Sequence, residues 1–442
     1  MTAEHTQGTN QHAYDPAAEV LQICRDLIRI DTTNFGDNTG PGERKAAAYV
    51  AACLDEVGID SDIYESAPGR ASLIARWGDE ASDEPPLLIH GHLDVVPARA
   101  ADWSQDPFAA EVVDGYLYGR GTVDMKDFDA MVLSTVRARR RAGVAPRRPV
   151  VLAFTADEEA GSRYGAHFLV DEHPDLLADC TEAIGEVGGF STEVGGKRLY
   201  VVESGEKGLS WMRFRAEGAA GHGSMRHPDN AVTALARAVA AIGSYDWPAQ
   251  PGPSMQILLD KVRELTCVDS DDPDELLAQF GPAARMIGAG IRNTTNPTML
   301  DAGYKVNVVP GSAEARVDGR YLPGHQDTFV QDVQRIVGDV VRVEPETFQP
   351  ALEIDFAGDL VDAMAVALHA EDPDAHIAPF LMSGGTDAKA WDRLGIRSYG
   401  FTPLRLPPDL DFTAMFHGVD ERVPVDALEF GARVFDRLLD LA

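Results

Sequence analysis

His92 and Asp94 lie at the end of a short apolar run, 87–97, that glycine interrupts and proline closes. Such runs are typical of buried strands whose ends deliver side chains into a crevice. Because side chains alternate along a strand, the two residues share one face, where His92 can bind a metal ion and Asp94 can orient its ring. A core strand with an incidental polar end explains this stretch equally well when it is taken alone.

Further acids and a second histidine follow glycine-rich or apolar segments elsewhere in the chain: Asp124, Glu158, Glu159, Glu186 and His417. Open α/β sheets bind ligands at the carboxyl ends of their strands, so we expect these groups to converge. Two imidazoles and three carboxylates suit divalent zinc, and a bridging carboxylate would hold two ions about 3.5–4 Å apart. The neighbours Glu158 and Glu159 point opposite ways, so one can bind metal while the other faces substrate.

Single acids near strand ends have a simpler interpretation. Such a carboxylate is more often a solvated turn residue or a helix N-cap than a ligand. We assign Asp127, Asp129 and Asp157 to that class. His90 lies within the apolar strand and is interpreted as a packing histidine.

Alternating strand and helix patterns predict the elements that position these residues. They indicate an α/β sheet covered on both faces, which resumes after Leu352. Between these parts, a β-α-β-β-α-β pattern predicts a compact inserted α+β domain that contains a Pro/Gly-rich irregular stretch at about 248–290. We predict a flexible tail at 1–15, a catalytic domain at 16–205 and 348–442, and an insertion at 206–347.

Composition excludes several partners. The chain has 442 residues, enough for two domains, and its 71 acidic and 39 basic residues give a formal charge of -32. This charge argues against nucleic acid and against an anionic membrane surface. Four scattered cysteines predict reduced core residues of a cytoplasmic protein, and the lack of a long apolar segment predicts no membrane span.

Seven motifs, in this order, resemble those of the M20 metallopeptidases, which include aminoacylase-like and carboxypeptidase-like hydrolases, acetylornithine deacetylase and succinyl-diaminopimelate desuccinylase. They lie at 90–97, 119–126, 157–161, 221–224, 307–310, 385–387 and His417. The resemblance covers nearly the whole chain after about Asp15. It implies a mixed-sheet α/β zinc-hydrolase domain with an inserted lid or dimerisation domain. The implied reaction is hydrolysis of an amide bond in a small peptide or N-acyl amino acid.

The resemblance also implies a role for each candidate site residue. One zinc would be bound by His92 and Glu186 and a second by Glu159 and His417, with Asp124 bridging; cobalt or manganese can substitute. Glu158 would be the general base, Asp94 would accept a hydrogen bond from His92, and His222 would stabilise the oxyanion, from the partner subunit in dimeric relatives. Substrate would be held by Asn307, Arg320, Gly385 and Thr386, although Arg320 fits a structural salt bridge equally well. The family also places a cis peptide after the bridging aspartate, here Asp124-Met125.

Two departures from the family pattern bear on the floor of the site and on the mode of dimer formation. Asp127-Phe128-Asp129 stands where relatives more often carry small glycines, and the long stretch at 248–290 leaves the mode of homodimer formation through the insertion undecided. One alternative is a catalytically silent relative that binds a peptide or metabolite. Another is an enzyme with a single metal ion.

Overall fold

The computed structural model describes residues 14–79 and 81–442, so all but the last two residues of the predicted tail lie outside the described part. Twelve α-helices occur in these residues: α1 (Val20–Arg29), α2 (Arg44–Asp55), α3 (Lys126–Ala142), α4 (Ala166–Glu172), α5 (Ala231–Gly243), α6 (Pro253–Thr266), α7 (Pro273–Leu277), α8 (Ala284–Gly288), α9 (Phe329–Val337), α10 (Asp359–Glu371), α11 (Ala388–Asp392) and α12 (Val425–Leu441).

The described residues also form nineteen strands: β1 (Ser61–Ala67), β2 (Arg70–Trp77), β3 (Leu87–His92), β4 (Val112–Val113), β5 (Tyr116–Tyr118), β6 (Val150–Thr155), β7 (Glu182–Gly185), β8 (Phe190–Val194), β9 (Lys197–Glu206), β10 (Gly208–Glu217), β11 (Gly221–His222), β12 (Thr294–Ala302), β13 (Val308–Val309), β14 (Ser312–Tyr321), β15 (Arg342–Gln349), β16 (Leu352–Glu353), β17 (His376–Met382), β18 (Arg397–Gly400) and β19 (Arg422–Pro424).

The larger sheet has ten strands, eight of them in the order β1-β2-β6-β3-β7-β18-β9-β16, with β8 and β17 also paired to β9. Its centre is parallel, from β6 through β3 and β7 to β18, and the pairs β1 with β2 and β2 with β6 are antiparallel. A mixed sheet of this kind confirms the predicted α/β class.

Both faces of the larger sheet are buried, which explains the nearly continuous apolar sequence of its central strands. In β3, Leu87 and Ile89 pack into the core that includes helices α1, α3 and α12. The intervening Leu88 packs on the opposite face with residues of α4 and α11. The end of β3 is therefore enclosed from both sides, and this rigid frame positions His92.

The smaller sheet is fully antiparallel, in the order β12-β14-β10-β15. Helices α5 and α9 cover one face around a separate core that includes Phe214, Leu235 and Phe329. Its order along the chain is β10, α5, β12, β14, α9 and β15, the β-α-β-β-α-β pattern that the sequence predicts.

The segment from α6 to Ile291 lies within the predicted insertion but packs elsewhere. Met255, Leu258 and Val262 of α6 belong to the core of the larger sheet, with Ile287 and Ile291. The prediction of an irregular stretch at 248–290 is therefore wrong. Proline begins α6 at its first turn, where the missing N–H has no helical partner to lose, and so starts a helix where the sequence suggested a loop.

Among the described residues, helices that combine the length and the apolar character of a membrane span are absent.

Candidate active site

The ends of three neighbouring parallel strands bring together the first candidates. β3 lies between β6 and β7 and ends at His92. Thr155 pairs with His92 and ends β6, just before Glu158 and Glu159. Glu186 follows the last residue of β7. The parallel arrangement therefore places these side chains at one edge of the sheet, as the sequence predicts.

The carboxylate of Asp124 lies between two histidines. Its Oδ1 is 3.0 Å from His92 Nε2, and that nitrogen is 3.4 Å from Glu186 Oε2. Its Oδ2 is 3.2 Å from His417 Nε2, and that nitrogen is 3.0 Å from Glu159 Oε2. In each group of three residues the potential ligand atoms lie within 4.8 Å of one another. The groups share Asp124 alone, an arrangement that suits two ions bridged by one carboxylate.

The electrostatics of this cluster fit a bound cation. Within the described residues, Asp124, Glu158, Glu159 and Glu186 form no ion pair with Lys or Arg, and their partners in ion pairs are the two histidines. Burial raises the pKa of Glu186 to about 8 and raises the pKa of Glu158 well above its ordinary value. Crowded carboxylates without a counter-charge retain protons, and divalent cations would reverse this tendency. The nitrogen and oxygen donors match those that zinc accepts.

Hydrogen bonds with Asp124 and Glu159 raise the pKa of His417 to about 10. The same contact with His417, together with one from His92, holds the pKa of Asp124 below its ordinary value against the opposing effect of burial. Hydrogen bonds therefore hold these histidines and carboxylates together. A metal ion bound between them would replace the protons that these hydrogen bonds share.

Glu421 connects the loop of Asp124 to the loop of His417, a role that the sequence did not reveal. Its Oε1 accepts hydrogen bonds from the backbone N–H groups of Gly121 at 3.0 Å and Val123 at 2.7 Å. Its Oε2 pairs with Arg120 Nη1 at 2.6 Å, and Arg120 also donates to the carbonyl of Gly418 at 2.9 Å. The only sequence signal is its place four residues after His417. The Asp124-Met125 peptide is cis, which confirms the prediction.

Asp94 differs from its predicted contact. The ring Nδ1 of His92 lies 2.9 Å from the backbone carbonyl of Asp94 and 3.7 Å from its carboxylate. The carboxylate instead accepts hydrogen bonds from the backbone N–H groups of Glu158 at 3.1 Å and Glu159 at 3.2 Å. The acceptor that orients the His92 ring is therefore the main-chain oxygen of Asp94. The carboxylate of Asp94 instead holds the turn that carries Glu158 and Glu159.

The prediction that Asp127, Asp129 and Asp157 are solvated is wrong, since all three are buried, although none of them belongs to either ligand group and Asp157 does lie at the start of a turn. Among the described residues, the two carboxylate oxygens of Asp129 have no hydrogen-bond partner. Asp129 packs against Gly91 so closely that a Cβ at Gly91 would lie 2.2 Å from its Oδ1. Single-sequence patterns cannot find such burial, because acidic side chains are normally exposed.

His222 and Asn307 are neighbours at the two-stranded ladder of β11 and β13, outside both ligand groups. The backbone N–H of Gly223 donates to the carbonyl of Asn307 at 3.0 Å. The exposed ring of His222 contacts the hydroxyl of Ser224 at 2.8 Å. Among the contacts of the described residues, neither side chain reaches the metal-ligand candidates.

Arg320 lines a cleft of about 670 Å³ between the smaller sheet and loops of the larger one, together with Gly384 and Phe416. Its guanidinium pairs with Asp318 at 2.7 and 3.1 Å, so the salt bridge that the sequence left open is formed. Thr386 lies beyond Gly385 in the same loop. Its backbone N–H and hydroxyl both donate to the buried Glu206, at 3.0 and 2.5 Å.

Comparison with known proteins supports the resemblance. The family model described as peptidase family M20/M25/M40 matches residues 88–441. The chain is 26% identical to N-fatty-acyl-amino acid synthase/hydrolase PM20D1 of Xenopus tropicalis, over 95% of this chain and 85% of that protein. It is also 26% identical to aminoacylase-1 of Sus scrofa, over 95% of this chain and 94% of that protein. Its fold is similar to that of the M20 family metallo-carboxypeptidase Sso-CP2 from Sulfolobus solfataricus, with a TM-score of 0.72 and 16% identity over 96% of this chain and 99% of that one.

Proposed function

The chain belongs to peptidase family M20/M25/M40, a family of metal-dependent hydrolases of amide bonds, and from this premise we propose that it hydrolyses small peptides or N-acyl amino acids with two bound zinc ions. The observation that carries this proposal is the position of Asp124 between two histidine-carboxylate groups. A single group would suggest one ion, whereas a shared carboxylate suggests two.

The five ligand candidates divide into two sets in this proposal. His92 and Glu186 would bind one ion, Glu159 and His417 the other, and Asp124 both. When bound, the ions supply Lewis-acid chemistry, which lowers the pKa of water so that hydroxide is available near neutral pH, and which polarises the scissile carbonyl. Cobalt or manganese, which accept similar donors, can substitute.

Glu158 is the proposed general base. Its Oε2 lies 3.9 Å from His92 Nε2, at the edge of the cluster and outside both ligand sets. Because it belongs to neither ligand set, its carboxylate stays available to accept a proton. Glu158 Oε2 would take a proton from the attacking water and return it to the leaving nitrogen.

The cleft beside Gly384 and Phe416 is the proposed substrate site. Arg320 would face a substrate carboxylate from the smaller sheet, held in orientation by Asp318. Gly385 and Thr386 would contribute the backbone of their loop, because the Thr386 side chain is committed to Glu206.

His222 and Asn307 require a second copy of the chain in this proposal, since they lie away from the ligand groups. Five large apolar side chains on the edge strand β12 and near His222 are exposed: Met225, Met299, Leu300, Tyr304 and Val306. An unpaired edge strand bearing apolar residues is a ready surface for pairing with another chain. We propose a homodimer through this surface, in which His222 of one protomer completes the site of the other.

For the domains, we propose a catalytic unit of 16–205 and 348–442 to which α6–α8 are added, since those helices share its core. The remainder of 206–347 forms the insertion. The scattered cysteines, which form no disulfide among the described residues, are consistent with the predicted cytoplasmic location.

Metal removal tests the proposed function. Protein freed of metal with a chelator and protein reloaded with zinc are compared on a panel of dipeptides and N-acyl amino acids, with zinc content measured by mass spectrometry. We expect activity only after reloading, with two ions per chain. Equal activity of both forms would refute a metal-dependent hydrolase. Activity with one ion per chain would favour the single-metal alternative, and two ions without turnover would favour the silent relative.

A further inference from the structure

A buried polar network lies behind the turn that carries Glu158 and Glu159, and its central residue is Asn34. The side-chain Nδ2 of Asn34 donates to Asp94 Oδ2 at 2.8 Å and to Asp157 Oδ1 at 3.0 Å. Its Oδ1 accepts from Arg70 Nη2 at 2.9 Å and from the backbone N–H of Gly36 at 3.0 Å. Both amide hydrogens and the amide oxygen are therefore used, which fixes the orientation of the group.

The two carboxylates that Asn34 joins both hold the turn. Asp94 accepts the backbone N–H groups of Glu158 and Glu159. Asp157, which adopts a left-handed backbone conformation at φ 66°, accepts the backbone N–H of Tyr164 at 3.0 Å. The carboxylates of Asp94 and Asp157 thus both hold the turn that begins at Asp157. Both carboxylates also accept a hydrogen bond from the same amide group, that of Asn34.

Charge explains why an amide occupies this position. Asp94 and Asp157 are buried, and two carboxylates that face each other in a dry environment repel unless donors separate them. Asn34 supplies these donors without adding charge. Arg70 supplies a positive charge to the network, because its Nη1 lies 3.8 Å from Asp157 Oδ1. The same guanidinium is paired with the buried Glu43.

We propose that Asn34 is a positioning residue, which acts through Asp94 and Asp157 to hold Glu158 and Glu159 at their places beside His92 and His417. This inference rests on the proposed function. It predicts an uneven effect. Among the described residues, the network's side chains bond directly to the turn of Glu159 and form no hydrogen bond with Glu186 or the loop of Asp124, and His92 is oriented by the main-chain carbonyl of Asp94 rather than by its carboxylate.

Two substitutions, Asn34→Ala and Asn34→Asp, test the proposal against the control Ser134→Ala. Ser134 is also buried and donates one hydrogen bond, to the carbonyl of Pro16 at 2.6 Å, in the same core but away from the cluster. Zinc is titrated into each metal-free protein by calorimetry, and kcat and KM are measured after reloading. Asn34→Ala adds no charge, so it remains informative where Asn34→Asp does not fold.

We expect one of the two zinc-binding steps to weaken about tenfold in the Asn34 variants while the other stays at the wild-type value. We expect kcat to fall about 10- to 100-fold with KM within about twofold, because the base is displaced without loss of substrate contacts. Asn34→Asp should be the more severe change, since it adds a third buried carboxylate.

Equal weakening of both zinc steps, or kinetics like those of Ser134→Ala, would overturn the positioning role. Failure of the proposed function has a different signature, because wild-type protein would then show no metal-dependent turnover on any amide substrate. The zinc titration remains a valid measure of the Asn34 network in that case.

Discussion

The cluster on the larger sheet and the two-stranded ladder of β11 and β13 both carry residues that the family motifs mark as functional, yet they are built differently. His92 and Asp124 are buried, and hydrogen bonds from distant parts of the chain fix their loops. His222 is exposed, and among the described residues its ring bonds only to Ser224, two residues further along the chain. The cluster therefore brings its five ligand candidates together within one chain, whereas the proposed role of His222 requires a contact with a second chain.

The most direct test of this comparison removes the proposed general base from the cluster and leaves the β11–β13 ladder unchanged. Glu158→Gln keeps the shape of the side chain but cannot accept the proton, so we expect kcat to fall about 10²- to 10⁴-fold while the protein still binds its metal. Turnover is measured together with zinc content, and Glu172→Gln, an exposed change on α4, is the control. A Glu158→Gln enzyme with wild-type turnover would remove Glu158 from the role of base.

The second prediction concerns His222 in the β11–β13 ladder. Loss of an oxyanion donor typically lowers kcat by about 10²- to 10³-fold, so His222→Ala should be impaired to that extent with zinc content and folding unchanged. Steady-state kinetics of the purified variant check this. Wild-type kcat in His222→Ala would assign the exposed histidine to the surface only.

Mixed dimers separate action within a protomer from action across the interface. Glu158→Gln and His222→Ala chains, with different affinity tags, are co-expressed and the mixed species is isolated. If His222 serves the site of its partner, one of the two sites in the mixed dimer has both residues intact, and about half of the wild-type activity returns. Activity no higher than that of the parents, or a monomer in solution, would contradict the proposed dimer.

The same contrast explains which parts of the site can be predicted from the sequence. Strand ends in a parallel sheet meet at one edge, so short-range patterns place His92, Glu159 and Glu186 correctly with respect to the fold. Those patterns cannot reveal which buried groups support the site, because Asn34 and Glu421 reach it across long stretches of chain. Hydrogen bonds that join distant segments leave no periodicity in a single sequence.

The helices α6–α8 show a second limit. Pro and Gly at 248–253 suggested a loop, although the apolar spacing of Leu258, Val262 and Leu265 fits a helix. The segment also leaves the smaller sheet and returns to the core of the larger one. Sequence order alone places it in the insertion, since only the folded chain shows which core it joins.

The smallest predicted effect lies at the junction between the two sheets, where Lys207 is fully buried. Its ammonium donates to the carbonyls of Ala289 at 3.1 Å and Arg292 at 2.8 Å and to the hydroxyl of Thr294 at 3.0 Å, so it ties the chain leaving the larger sheet to the chain entering β12. Burial lowers the pKa of Lys207 to about 7, with Arg320 and Arg292 lowering it further and Asp318 opposing them.

A lysine with a lowered pKa makes stability depend on pH with a known sign. Between about pH 7 and the ordinary lysine pKa of 10.5, the unfolded chain binds more protons than the folded one, so this residue's contribution to the free energy of unfolding rises with pH. We expect the free energy of unfolding of wild type, minus that of Lys207→Met, to increase by up to ~1.4 kcal/mol per pH unit from pH 7 to 9. Urea denaturation at pH 7, 8 and 9 measures it, with Lys45→Met, an exposed change on α2, as control. A difference that stays constant with pH would show that Lys207 keeps its ordinary pKa, and the two sheets would then be joined by a permanently charged ammonium.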